Sequence, residues 1–130
     1  MRTLMVDSSY WITMSRQGYD PIAHLAGAAQ GRDLAICGVI RCEVARGVVH
    51  EPALQRLRRF WDVMLNVPAD NRIWEATEAL LWRMDRAGRP IPLPGALIAC
   101  CALRIQAAVL TYDRHFHSIP GLVVTADPMA

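Results

Sequence analysis

Hydrophobic positions along this chain come in two arrangements, short continuous runs and helical spacings, and the two alternate. Thr3 to Val6 form a short, mostly apolar run that closes on Asp7, as a buried strand does. Ser8 and Ser9 are capping residue types, and Tyr10, Trp11, Ile12 and Met14 follow in a helix that runs toward Gly18. Asp20-Pro21 pairs a cap with a first-turn proline and opens a helix that stops near Gly31. Leu34 to Cys37 predict a second strand, and Gly38 begins a helix that carries Glu43 and ends near Gly47.

Two longer amphipathic helices come next. From Glu51, the residues Leu54, Leu57, Trp61, Met64 and Leu65 share one face, with Arg56 and Arg59 elsewhere on the cylinder. From Asp70, the set Ile73, Trp74, Thr77, Leu80, Leu81 and Met84 repeats the pattern until Gly88. The prolines between Arg89 and Pro94 predict an ordered, extended loop. Ala96 to Ile105 is apolar nearly all round, which predicts a helix in the middle of the fold. Val109 to Thr111 is the third strand expected, and Leu122 to Thr125 the last. Strands alternating with helices predict an α/β chain, a three-layer α/β/α sandwich around a small, mostly parallel sheet, in one domain over residues 1–130.

Composition narrows the chemistry. With 53% apolar and 20% charged residues the chain is expected to be globular, and no segment is a membrane-helix candidate. The opening residues Met1 to Asp7 are too short for a signal peptide, so a cytoplasmic location is expected. Cys37, Cys42, Cys100 and Cys101 all stand in apolar stretches without metal-site spacing, and buried thiols are expected. Net charge is only +2, but all 14 basic residues are arginine. The absence of lysine removes Schiff-base enzymes, Walker-type nucleotide sites and receiver domains, whereas arginine suits bidentate grip on phosphate. A phosphatase with Asp7 as nucleophile also wants a lysine, and an acid where Ser9 stands.

The candidate chemistry lies in acids. Asp7 and Asp113 each stand at or just past the carboxyl end of an expected strand, the edge where parallel sheets bind ligands. Glu43 lies about a turn and a half into the helix after the second strand and reaches the same edge if its face turns inward. Three acids there would suit a shared divalent cation. Each also has a structural reading. Asp7 is a helix cap, Glu43 a partner for Arg41 or Arg46, and Asp113 a partner for Arg114 or a backbone amide.

The segments VDSSYWI, ICGVIRCEVARGV, IPLPGALIACCALRIQAAVLTYDRHF and IPGLVV resemble, in order and spacing, the signature segments of PIN domains, in particular the VapC-like toxins of VapBC toxin–antitoxin pairs. The resemblance spans essentially the whole chain. It implies a PIN-like fold and an endoribonuclease dependent on Mg²⁺ or Mn²⁺, with Asp7, Glu43 and Asp113 as the first, second and fourth acids and Asp7 and Asp113 toward the metal. It further implies RNA as substrate, a VapB-like antitoxin as partner and a homodimer. Ser8, Thr111 and Arg114 are the candidates to touch RNA. The third acid of the pattern is missing, because Gly95 stands where similar PIN proteins carry aspartate. The expectation is a stable fold with weakened metal binding and reduced or absent cleavage, or else a PIN fold that only binds antitoxin or RNA.

Overall fold

The computed structural model describes residues 2–130. Five strands form one sheet: β1 (Leu4–Val6), β2 (Leu34–Cys37), β3 (Leu65–Val67), β4 (Ala108–Leu110) and β5 (Val124–Thr125). Six helices connect them: α1 (Ser8–Arg16), α2 (Pro21–Gly31), α3 (Gly38–Ala45), α4 (Glu51–Asp62), α5 (Asn71–Arg86) and α6 (Leu93–Arg104). The strand order is β3-β2-β1-β4-β5, and each neighbouring pair is parallel. The expected α/β fold is therefore present, with a sheet that is parallel throughout.

Side chains of successive strand residues point to opposite faces, yet every residue of β1, β2 and β4 is buried. Both faces of the sheet are thus covered, which is why these strands are continuous apolar runs rather than alternating ones. The chain leaves β1 toward β2 and β3 on one side and toward β4 and β5 on the other. The carboxyl ends of β1 and β4 flank that change of direction, where an open parallel sheet has its crevice.

Several boundaries differ from the sequence reading. Leu65 does not continue α4. The helix stops at Asp62, and the Asn66 side-chain amide donates to the carbonyls of Trp61 (3.0 Å) and Met64 (3.1 Å), which closes the helix end. The chain then pairs with β2 as an edge strand that apolar periodicity alone had merged into the helix. Helix α6 begins at Leu93, inside the proline stretch, because Pro94 in a first turn forfeits no hydrogen bond. β4 ends one residue before Thr111, and β5 is confined to Val124–Thr125. The cap of α1 is Asp7, not Ser8 or Ser9.

Two burial expectations also fail. Cys42 is exposed on the outer side of α3, while Ile40 and Val44 hold that helix to the core. On α5 the core stripe is Ile73, Thr77, Leu80 and Met84, which leaves Trp74 on the flank and exposed. The other three thiols are buried, and donation to Cys37 together with burial pushes the Cys101 thiol up.

Candidate functional site

Asp7 ends β1 and caps α1, so its carboxylate is drawn back over the sheet edge. It is 3% exposed and surrounded by short donors. Its Oδ2 accepts from the Ser9 hydroxyl (2.7 Å), the Thr111 hydroxyl (2.8 Å) and the Ser9 amide (3.3 Å). Each hydroxyl has one proton, and these geometries spend both on Asp7. As acceptors the same hydroxyls serve the loop that follows β4: Thr111 Oγ1 takes the Asp113 amide (2.9 Å) and Ser9 Oγ the Tyr112 amide (3.0 Å). Asp7, Ser9 and Thr111 therefore lock the ends of β1 and β4 together.

Ser8 reaches the other way. Its hydroxyl lies 2.8 Å from Glu43 Oε1 and 3.3 Å from Asp7 Oδ1, so its single proton goes to Glu43. Glu43 is brought there by α3, which packs on α1. Neither arginine considered as a structural partner holds it: Arg41 instead binds Asp62 (3.0 Å) and Asn66 (3.1 Å), and Arg46 makes no ion pair among the described residues. Asp113 caps the 3-10 turn Arg114–Ser118. Its Oδ1 accepts from the His115 amide (3.0 Å) and faces His115 Nδ1 at 2.7 Å.

One cleft of about 250 Å³ is lined by Asp7, Ser8, Ser9, Glu43 and Asp113 and by Pro92, Pro94 and Gly95 of the α6 entry, with Ile12, Ile98 and Phe116. The three expected acids thus meet at one cavity. Arg114 is exposed and does not line it. Thr111 is 2% exposed, with its hydroxyl already used twice. Sequence reasoning passed over Pro92 and Pro94 because proline has no side-chain donor to advertise a site. It gave Ser9 only a minor place, whereas Ser9 is a principal tether of Asp7.

A Cβ at Gly95 would meet nothing closer than Phe116 Cζ at 4.0 Å, an ordinary contact. Neither space nor backbone conformation requires glycine there, and a side chain at 95 would enter the acid cleft.

Hard oxygen donors fit a divalent cation in kind. Glu43 Oε2 and Asp113 Oδ2 accept no hydrogen bond among the described residues, and Asp7 Oδ1 has only the long contact to Ser8. In number the fit is incomplete: among the described residues, no group of three or more Asp, Glu, His or Cys side chains is gathered closely enough to hold one ion.

This architecture, with acids at the switch point of a short parallel sheet, is that of a PIN domain, and the PIN domain family model matches residues 4–122. The chain belongs to the PIN domain family. Its structure is similar to VapBC2 from Rickettsia felis bound to a promoter DNA fragment, with TM-score 0.78, 19% identity, and coverage of 95% of this chain and 97% of that one. It is also similar to VapBC-1 from nontypeable Haemophilus influenzae, with TM-score 0.78, 18% identity, and coverage of 98% and 99%. A third similar structure is Mycobacterium tuberculosis VapC20, a sarcin–ricin-loop-cleaving toxin, with TM-score 0.67, 15% identity, and coverage of 92% and 96%. No curated protein matches the chain in sequence. No helix among the described residues is long and apolar enough to cross a membrane.

Proposed function

We propose that this chain is a metal-dependent endoribonuclease of the toxin kind, weakened by glycine at position 95. The observation that carries the reading is the convergence of Asp7, Glu43 and Asp113, from three distant parts of the sequence, on one cleft that Gly95 also lines. Mg²⁺ or Mn²⁺ held by Asp7 and Asp113 would supply Lewis acidity toward a phosphodiester.

The protein's own groups have separable parts in this reading. Ser9 and Thr111 fix the Asp7 carboxylate with one oxygen bound and the other turned free, so Thr111 acts by positioning rather than by touching RNA. Ser8 holds Glu43 Oε1 and leaves Oε2 to take a proton from an attacking water. Arg114, exposed next to Asp113 in the chain, is assigned the contact with an RNA phosphate in this reading. Gly95 supplies no carboxylate where the family's pattern has one, and a hard cation with fewer anionic ligands is held more weakly.

A VapB-like antitoxin is the partner this reading requires. In its support, a second cavity of about 340 Å³, walled by Trp11, Ile12, Pro21, Val44 and Leu57, reaches Glu43 from the side of α1 to α4. An apolar segment seated there would carry a basic residue to the acids.

The test is RNA cleavage in Mg²⁺ and in Mn²⁺, with EDTA as control, comparing this chain with Gly95→Asp and with Gly95→Asp/Glu43→Gln. Cleavage that rises at least tenfold in Gly95→Asp and is lost again with Glu43→Gln is expected. Equal cleavage by the chain and Gly95→Asp would remove the role given to position 95. A second reading, a PIN fold that binds without cutting, is favoured by the incomplete gathering of acids. Tight antitoxin binding with no cleavage by either form would establish it.

A further inference from the structure

Among the described residues four aromatic rings are well exposed: Tyr19, Trp74, Trp82 and Tyr112. Of these, Tyr112 alone is tied into the network of the acid cleft. Its amide donates to Ser9 Oγ (3.0 Å), and that hydroxyl donates to Asp7 Oδ2 (2.7 Å). A single hydroxyl thus separates the Tyr112 backbone from the carboxylate that the cleft is built around. Its neighbours in the chain are Thr111, which also holds Asp7, and Asp113, which lines the cleft. Tyr112 itself does not line the cleft, so its ring stands just outside.

The ring is backed by a second ring. It stacks on Tyr10, with centroids 5.5 Å apart and 19° between the planes, a spacing that aromatic pairs prefer. Tyr10 is 1% exposed and Tyr112 45%, so Tyr112 forms the outer layer of the pair. The stack on Tyr10 and the tie to Ser9 position this ring before any ligand arrives, which leaves little side-chain freedom to lose on binding.

A flat, exposed ring beside a phosphate site suits an unpaired nucleobase. Every base has a π-face that stacks on an aromatic side chain, and bases splayed out of a helix are the ones free to do so. A phosphate at the three acids leaves the base of a neighbouring nucleotide outside the cleft, on the ground that Tyr112 occupies. A protein segment is less well suited, because Tyr112 is no part of the cavity assigned above to the antitoxin, which α1 to α4 wall.

We propose that Tyr112 is a stacking platform for the base of the nucleotide next to the scissile phosphate, so that the RNA taken is unpaired there. This inference rests on the ribonuclease reading and adds to it a requirement for single-stranded or looped RNA. Stacking tolerates any base, so Tyr112 confers a preference for unpaired RNA and not for one sequence.

The test uses Glu43→Gln, in which no general base activates water, so that RNA is bound in Mn²⁺ without being cut. Fluorescence anisotropy with a short, labelled single-stranded RNA compares that protein with forms that also carry Tyr112→Ala, Tyr112→Leu or Tyr112→Trp. Tyr112→Ala and Tyr112→Leu are expected to weaken binding at least about fivefold, and Tyr112→Trp to keep it within about twofold. A duplex of the same sequence is expected to show no such dependence on residue 112. With 5-iodouridine in the single strand, ultraviolet irradiation is expected to cross-link Tyr112, as read by mass spectrometry of the digested complex. Far-UV circular dichroism checks that each variant is folded.

Unchanged affinity in Tyr112→Ala overturns the proposal, leaves the ribonuclease reading standing and turns the ring toward a protein contact. Recovery by Tyr112→Leu equal to that by Tyr112→Trp also overturns it, because apolar bulk rather than a π-face then suffices. So does a cross-link confined to other residues. RNA that is bound by no form, and not cut by Gly95→Asp, brings down the ribonuclease reading and this proposal with it.

Discussion

Where β1 and β4 end, the carboxylate of Asp7 is surrounded by donors from Ser9 and Thr111, and those donors in turn hold the amides of Tyr112 and Asp113. Where α6 begins, along the same cleft, Pro92, Pro94 and Gly95 offer neither a charge nor a side-chain hydrogen bond. The first region is a closed polar network whose members depend on one another. The second is a helix entry shaped by proline alone, and nothing in the first region leans on it. The absence of an acid at position 95 therefore leaves the fold and the three acids present in place.

The comparison would break most visibly at Asp7. Asp7→Ala removes the cap of α1 and strips three donors of their buried acceptor, so a loss of about 2–4 kcal/mol in urea unfolding is expected. A loss well under that would mean that the network relaxes and that the two regions differ less than described. Thr111→Val comes next, at about 1–2 kcal/mol, since it costs Asp7 one donor and leaves the Asp113 amide without its acceptor. Thr111→Ser should recover most of that loss, because it keeps the hydroxyl.

Gly95→Asp probes the other region and should change apo stability by no more than about 1 kcal/mol. An acid in the first turn of a helix is favoured by the helix dipole and over glycine by propensity, which offsets repulsion from its neighbours. The difference should show on adding Mn²⁺, which is expected to raise the melting temperature of Gly95→Asp more than that of this chain. An equal rise in both would count against a metal role for that position.

The smallest effect is outside the cleft. Asp20 caps α2 and accepts from Arg56, and that guanidinium holds its carboxyl below the usual range. A carboxyl with a depressed folded value contributes stability above its unfolded value, and this is lost as pH falls through the folded one. The advantage of this chain over Asp20→Asn, which keeps the cap, should therefore be small near neutrality and vanish in acid. Asp20→Ala should cost about 1 kcal/mol more, for the cap.

Much of this was legible in the residues. The apolar runs ending on Asp7 and beginning at Leu34 gave strands β1 and β2, and Asp20-Pro21 and Asp70 marked helix starts where the chain has them. The acids at strand ends pointed to one edge, and the structure brings all three to one cleft. What escaped was decided by partners remote in sequence. Leu65 became a strand because β2 was there to pair with it and Asn66 closed the helix before it. The tie between Ser9 and Tyr112 joins residues 103 apart, and no local pattern encodes it. Pro94 inside a helix was a matter of position, since the same residue that breaks a helix interior suits its first turn.

The tie between Asp7 and Thr111 spans 104 positions, and it has a consequence for how the protein comes into being. β1 is synthesised before β2 and β3, yet its neighbour β4 is made only after both. Until then one edge of β1 has no strand beside it and Asp7 has no hydroxyl from Thr111. Contacts this distant form late, after the cost of closing a long loop has been met. A growing chain that has not reached β4 therefore holds Asp7 and Glu43 without Asp113 or the cleft, and the site comes into existence only once β4 and the residues just after it are made.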